Sequence, residues 1–139
     1  MHKVGDYDIN MADDLGQGSF GTVYRGKHYE TGQKVVAKSI ILTKENREYV
    51  EGEIEILKLG KRHKNIVQIL YDERQGREMW IVMEECDLGN LAEYARKKSM
   101  NLHTKISIIH QCAVALVYLL NLKPERVIHR DLKPANILL

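Results

Sequence analysis

Three groups of residues in this chain have types and spacings that could do chemistry. The first is the run Gly16-Gln17-Gly18-Ser19-Phe20-Gly21-Thr22-Val23. Glycines let a backbone approach phosphate groups closely, because no Cβ intervenes and positive φ is accessible. Successive N–H groups can then surround an anion. A G-x-G-x-x-G run also marks dinucleotide-binding folds, but there it opens a helix. Here it is followed by Thr22 to Tyr29, which reads as a strand. No G-x-x-x-x-G-K-[ST] run is present, so a Walker-type P-loop is excluded.

The second group is Val35-Val36-Ala37-Lys38, with Glu53 fifteen residues further on. A lysine ending a run of buried β-branched residues is costly without an anionic partner. A lysine that snorkels to the surface is the alternative. Glu53 lies three residues after Val50 and four before Leu57, which puts it beside the apolar face of a helix. Glu51 and Glu55 fall toward solvent, and the spacing predicts a Lys38–Glu53 ion pair. The third group is His129-Arg130-Asp131-Leu132-Lys133-Pro134-Ala135-Asn136-Ile137-Leu138-Leu139. It combines a carboxylate base, a lysine two residues later and an asparagine five residues later.

The elements that must hold these groups follow from periodicity. Tyr7 to Leu15, Gly21 to Tyr29 and Lys34 to Ile40 read as three strands of an antiparallel meander, with turn chemistry at Glu30-Thr31-Gly32-Gln33. A helix is expected from Lys44 to Leu59, capped by Thr43 and stopped by Gly60, with Val50, Ile54 and Leu57 on its inner face. Ile66 to Tyr71 and Met79 to Met83 read as two more strands around a Gln75-Gly76 turn. Leu91 to Arg96 and Leu102 to Leu122 read as helices, the latter burying Ile106, Ile109, Ala113, Leu116 and Leu120. The expected fold class is α+β, a five-stranded antiparallel sheet with one helix, followed by the beginning of a helical region.

Bulk composition excludes several classes. Of 139 residues 44% are hydrophobic and 29% charged, which argues for a folded globular chain over a disordered one. A net charge of +2 demands neither nucleic acid nor an anionic membrane, so neither partner is expected. The clusters Lys61-Arg62-His63-Lys64 and Arg96-Lys97-Lys98 read as solvated faces. Cys86 and Cys112 form no C-x-x-C pair and no zinc spacing, consistent with a reducing cytoplasmic or nuclear setting. Met1 to Asn10 has no signal-peptide core. His2 stands where N-myristoylation needs glycine. The uninterrupted apolar run Cys112–Leu120 is far short of the ~20 residues that span a bilayer.

Taken in order, G-x-G-x-x-G-x-V, a strand lysine, a helix glutamate and H-R-D-L-K-P-x-N resemble the signature set of eukaryotic-type serine/threonine protein kinases, across essentially the whole chain. The resemblance implies ATP and Mg²⁺ as cofactors and a protein serine or threonine as acceptor. Leu15, Gly16, Gln17, Gly18, Ser19, Phe20 and Gly21 would cover the nucleotide. Lys38 would hold the α/β-phosphates and pair with Glu53. Val23 and Val36 would lie above the adenine and Leu138 below it. Met83 would be the gatekeeper, the backbone of Glu84 and Cys86 would bond the adenine, and Asn90 would reach toward the ribose. Asp131 would accept the substrate hydroxyl proton, Lys133 would contact the transferred phosphate and Asn136 would bind Mg²⁺. Lys133 is also the residue that fits the serine/threonine rather than the tyrosine form of the loop. His129 would pack with Leu57 and Ile69 as a structural spine.

The resemblance divides the chain into an N-lobe (1–83), a hinge (84–90) and the start of a helical C-lobe (91–139). Three departures stand out. Val36 replaces a more usual alanine, the loop Leu59 to His63 is one residue longer than common, and Leu120 stands where histidine is frequent. No D-F-G or A-P-E run follows Asn136 within the sequence. The expectation is therefore an active parent kinase of which this stretch alone is inactive. The alternative is a naturally short, non-catalytic nucleotide-binding or decoy module.

Overall fold

The computed structural model describes residues 1–17, 21–122 and 132–139. The chain forms two compact units. One comprises Met1–Lys61 and Gln68–Glu85, the other Arg62–Val67 and Cys86–Leu139.

The first unit is a six-stranded sheet with one helix on it. The strands are β1 (His2–Val4), β2 (Tyr7–Gln17), β3 (Thr22–His28), β4 (Lys34–Ile41), β5 (Ile69–Gln75) and β6 (Glu78–Glu84), in spatial order β1-β2-β3-β4-β6-β5. Every neighbouring pair is antiparallel. The expected five strands become six because His2–Val4 pairs with β2, and three residues are too few to show an alternation. The fourth expected strand starts at Ile69 rather than Ile66, since residues 66 and 67 belong to the other unit. The β5–β6 turn falls on Gly76-Arg77, one residue later than expected.

Alternation along β4 and β6 divides the core between the two faces of the sheet. Val35, Ala37, Trp80 and Val82 join Val4 and Ile9 on one face. Ile40, Met79, Ile81 and Ile69 join Val50 and Ile54 of the helix on the other. That helix, α1, spans Arg47–Leu59, three residues shorter at its start than expected. Residues 43–46 form a turn instead. Thr43 N–H donates to Asn46 Oδ1 (2.7 Å), Asn46 N–H donates to Thr43 Oγ1 (3.2 Å), and Asn46 Nδ2 donates to the Ile41 carbonyl (2.9 Å). Such reciprocal side-chain bonds compete with the first helical turn. Gly60 ends the helix as expected, its N–H reaching the Leu57 carbonyl while Lys61 N–H reaches that of Lys58.

The second unit carries α2 (Leu91–Lys97), α3 (Leu102–Leu120) and a short 3₁₀ turn at Pro134–Asn136. Asn90 and Asn101 cap the two helices, accepting from Glu93 N–H (2.9 Å) and Thr104 N–H (2.8 Å). The loop Arg62–Val67 docks on α3, where Asn65 Nδ2 donates to Gln111 Oε1 (2.9 Å) and His63 meets the Tyr118 ring at 4.6 Å.

The expected inner face of α3 is not the observed one. Ile106, Ile109, Ala113 and Leu120 are exposed, Leu116 is half-buried, and the buried residues are Ala115 and Leu119. Ile108 and Cys112 continue that stripe, half-buried. The helix is apolar on nearly every side, so periodicity alone could not select a face. By length and composition α3 could also cross a membrane, with a mean hydropathy of 1.3 over 18 residues. The nine-residue run hid this because Ile106, Ile108 and Ile109 extend it backwards past His110 and Gln111. The Asn65 bond to Gln111 ties the helix into its own unit.

Candidate active site

Cross-strand register assembles the first half of the site. Residues directly opposite in a sheet point to the same face. Val23 faces Lys38 across β3–β4, Val36 faces Met83 across β4–β6, and Lys38 faces Ile81. Val23, Val36, Lys38 and Met83 therefore share one face, the face that carries α1. Met83 packs at the edge of the Ile40–Val50–Ile54 cluster.

The glycine run begins as the end of β2. Asp14 pairs with Tyr24 and Gly16 with Val23, so Leu15 is an extra residue in a bulge. Gly16 takes a φ of 119°, which a side chain would strain, and its N–H donates to Asp14 Oδ1 at 2.6 Å. Gly21 is required for a different reason: a Cβ there would collide with the Ser39 carbonyl oxygen of β4. Leu15, Gly16 and Gln17 are exposed. Gly18, Ser19 and Phe20 lie outside the described residues.

The expected Lys38–Glu53 ion pair is not formed. Among the described residues Lys38 has no carboxylate partner, and Glu53 Oε2 is buried with no hydrogen-bond partner. Packing of Val50 and Ile54 on the sheet, with Lys58 Nζ 3.2 Å from Asp72 Oδ1, holds α1 against β5 where the two charges remain apart. Glu51 and Glu55 lie in solvent as expected, 3.5 Å from Arg47 and Lys58 respectively. A buried carboxylate oxygen without a donor is costly. Glu53 is thus a carboxylate in want of a cation, on the same side of the sheet as Lys38.

The chain leaves the sheet at Glu84 and Glu85. Glu84 N–H donates to the Gln68 carbonyl (3.0 Å), and Gln68 N–H donates to Glu84 Oε1 (2.9 Å). The Glu84 N–H is thus engaged within the sheet unit. Arg25 Nε donates to Glu85 Oε1 at 2.9 Å, and its Nη1 lies 3.4 Å from Asp13. The Glu85 hydrogen bond, followed by the Asp13 charge, raises the guanidinium pKa above its ordinary value. This triad was not read from the sequence. Its members are far apart in the chain, and no local pattern pairs them.

In the second unit Cys86 is half-buried and its carbonyl accepts from Gly89 N–H (3.1 Å). Asn90 does not aim its oxygen at a ribose. That oxygen caps α2, because the helix start needs an acceptor there. Leu138 bridges Asn90, and the flanking bonds Leu91 N–H to Ile137 O (2.7 Å) and Leu139 N–H to Gly89 O (2.9 Å) lock the two segments together. Leu138 stays 43% exposed. Asn136 ends the 3₁₀ turn, donating its N–H to the Lys133 carbonyl (2.9 Å), and both side chains are exposed. His129 and Asp131 lie outside the described residues. Leu57 and Ile69 both belong to the α1-facing core.

The protein kinase domain family's model matches residues 9–139. The chain belongs to that family. It is 36% identical, over 161 aligned positions, to the serine/threonine-protein kinase atg1 of Schizosaccharomyces pombe, covering 98% of this chain. It is 38% identical to the serine/threonine-protein kinase dst2 of Dictyostelium discoideum and 31% identical to the misshapen-like kinase 1 of Rattus norvegicus, each over 94% of this chain. The chain spans 19%, 11% and 10% of those three relatives' lengths.

Proposed function

We propose that the protein carrying this chain transfers the γ-phosphoryl group of ATP to serine or threonine hydroxyls of protein substrates. The observation that carries the reading is the register that sets Val23, Val36, Lys38 and Met83 on one sheet face beside the glycine run. One feature fits the expected role of Lys38: Glu53 offers a buried carboxylate oxygen that lacks a partner, on the same side of the sheet. Phosphoryl transfer leaves a protein mainly positioning and electrostatics to supply.

In this reading Lys38 holds the phosphates and gains Glu53 as its counter-ion when α1 shifts toward β4. Val23 and Val36 cover the adenine, and the Glu84 carbonyl and Cys86 N–H read its edge. Asp131 accepts the proton of the attacking hydroxyl, Lys133 steadies the transferred group, and Asn136 supplies an oxygen to Mg²⁺. The metal, when bound, neutralises charge on the phosphates. The test is phosphorylation of a generic protein by the full-length protein with ATP and Mg²⁺. Lys38→Met and Asp131→Asn are each expected to lower the rate about a hundredfold or more. Transfer indifferent to both substitutions would overturn the reading.

A further inference from the structure

The end of α2 and the start of α3 enclose a cleft of about 420 Å³, lined by none of the residues expected to hold nucleotide. Ala95 and Met100 contribute apolar surface, and Arg96, Lys97, Lys98 and Lys105 supply four cations. Among the described residues none of the four is within ion-pair distance of a carboxylate. Arg96 Nε donates to the Ala92 carbonyl (3.3 Å), and Lys98 Nζ sits 5.8 Å from the Tyr94 ring.

Helix electrostatics account for part of this only. Arg96 and Lys97 occupy the last turn of α2, where a cation complements the helix dipole. Lys98 lies beyond the helix in extended backbone. Lys105 stands near the start of α3, at the positive end of that dipole, and no acidic residue occupies the first turn to offset it. The sequence composition is lopsided as well. The unit that holds the cleft has ten Lys and Arg against four Asp and Glu, whereas the sheet unit has eleven against fifteen.

We propose that this cleft docks an acidic peptide segment, one rich in Asp and Glu, from another protein. Three of the four cations are lysines, which act as separate point charges on flexible stems. Three of the cations are consecutive in the chain, from the last turn of α2 into extended backbone, and Lys105 comes from the next helix. A single phosphate is recognised by converging, bidentate arginines, whereas a row of carboxylates matches distributed lysines. The concave shape suits a strand of peptide better than a flat bilayer surface. The purpose of such a dock, retaining acidic substrates, rests on the kinase reading; the binding itself does not.

Fluorescence anisotropy with a short labelled peptide of alternating glutamate and alanine tests it. The protein should bind this peptide at low ionic strength, and binding should weaken as salt rises from about 20 to about 200 mM. Lys97→Glu, Lys98→Glu and Lys105→Glu combined should weaken it about tenfold or more, with an unchanged circular dichroism spectrum. The milder pair Lys98→Gln and Lys105→Gln should give a smaller loss, and covers the case in which the triple variant misfolds. Phosphorylation of a short neutral substrate should be the same in the milder pair as in the parent. That separates failure of the dock from failure of the kinase reading. Equal binding of a glutamine–alanine peptide would overturn the proposal. So would unchanged affinity in the variants, or lysine-dependent binding of phosphatidylserine vesicles or a lone phosphoserine peptide in place of the acidic one.

Discussion

At Gly21 the sequence shows a glycine where a phosphate-binding turn wants one, but the structural requirement comes from a neighbouring strand. The β4 backbone passes so close that the Ser39 carbonyl occupies the space a Cβ would need. Alanine must therefore push β3 away from β4, next to the Val23–Lys38 pair. Gly21→Ala should destabilise the protein by about 1–3 kcal/mol. It should also weaken nucleotide binding, because the strand that moves carries Val23. A thermal melt checks the first expectation, and an unchanged midpoint would show that the strands can part at no cost. Gly16 differs, since its constraint is a positive φ with open space around it. Glu53 shows the limit of reading at this scale. Its half-buried place on the helix was legible from its spacing to Val50 and Leu57, but whether it meets Lys38 depends on where the whole helix sits.

That position is an element-scale property, and one polar contact contributes to it. Lys58, in the last turn of α1, lies 3.2 Å from Asp72 on β5 and 3.5 Å from Glu55. The Asp72 hydrogen bond, ahead of the Coulombic attraction of Asp72 and Glu55, raises the Lys58 pKa above 10.5. A raised lysine pKa means the folded state holds the proton more tightly, so the contribution is complete below 10.5 and disappears as pH climbs through the folded value. The side chain is 43% exposed, so screening leaves the pair worth no more than about 0.5 kcal/mol. Lys58→Ala should lower the melting temperature slightly at neutral pH, and the gap should close in about 1 M salt or in strongly alkaline buffer. A gap that persists in both would mean the lysine stem, not its charge, holds the helix. The strands and α1 were legible because each shows a clean period, two for β4 and 3.6 for the Val50–Ile54–Leu57 face. What was not legible has specific causes. Strand β1 is too short to show a period, the Thr43–Asn46 turn trades helix bonds for side-chain ones, and α3 is apolar on too many sides to declare a face. The site was readable where it rests on one strand, as at Lys38. It was not where it rests on Arg25 meeting Glu85, sixty residues on.

Across the whole molecule, burial is unevenly shared between the two units. Of the buried apolar residues, twelve lie in the sheet unit, from Val4 to Val82, and only Ala115 and Leu119 lie in the helical unit among the described residues. Strand β6 is covered on both faces, with Trp80 and Val82 on one side and Met79 and Ile81 on the other. Helix α3 instead leaves Ile106 57%, Ile109 68% and Val117 56% exposed. Backbone bonds open by local or sub-global unfolding at a free energy set by the apolar contact that opening gives up. On that basis the 139-residue chain should not exchange its amides as one cooperative body. Native-state hydrogen exchange should find β4 and β6 most protected, opening only with the sheet unit as a whole. The amides of α3 should exchange sooner, through an opening that leaves the sheet intact. Protection should be weakest around Ile106 and Ile109 and firmer toward Leu119, which is buried in the last turn. Ile109→Gln should leave β4 and β6 protection untouched and reduce the binding of a hydrophobic dye, because the isoleucine it removes faces solvent. Equal protection of α3 and β6, or a loss of sheet protection in Ile109→Gln, would instead mean that the helix is stabilised jointly with the sheet.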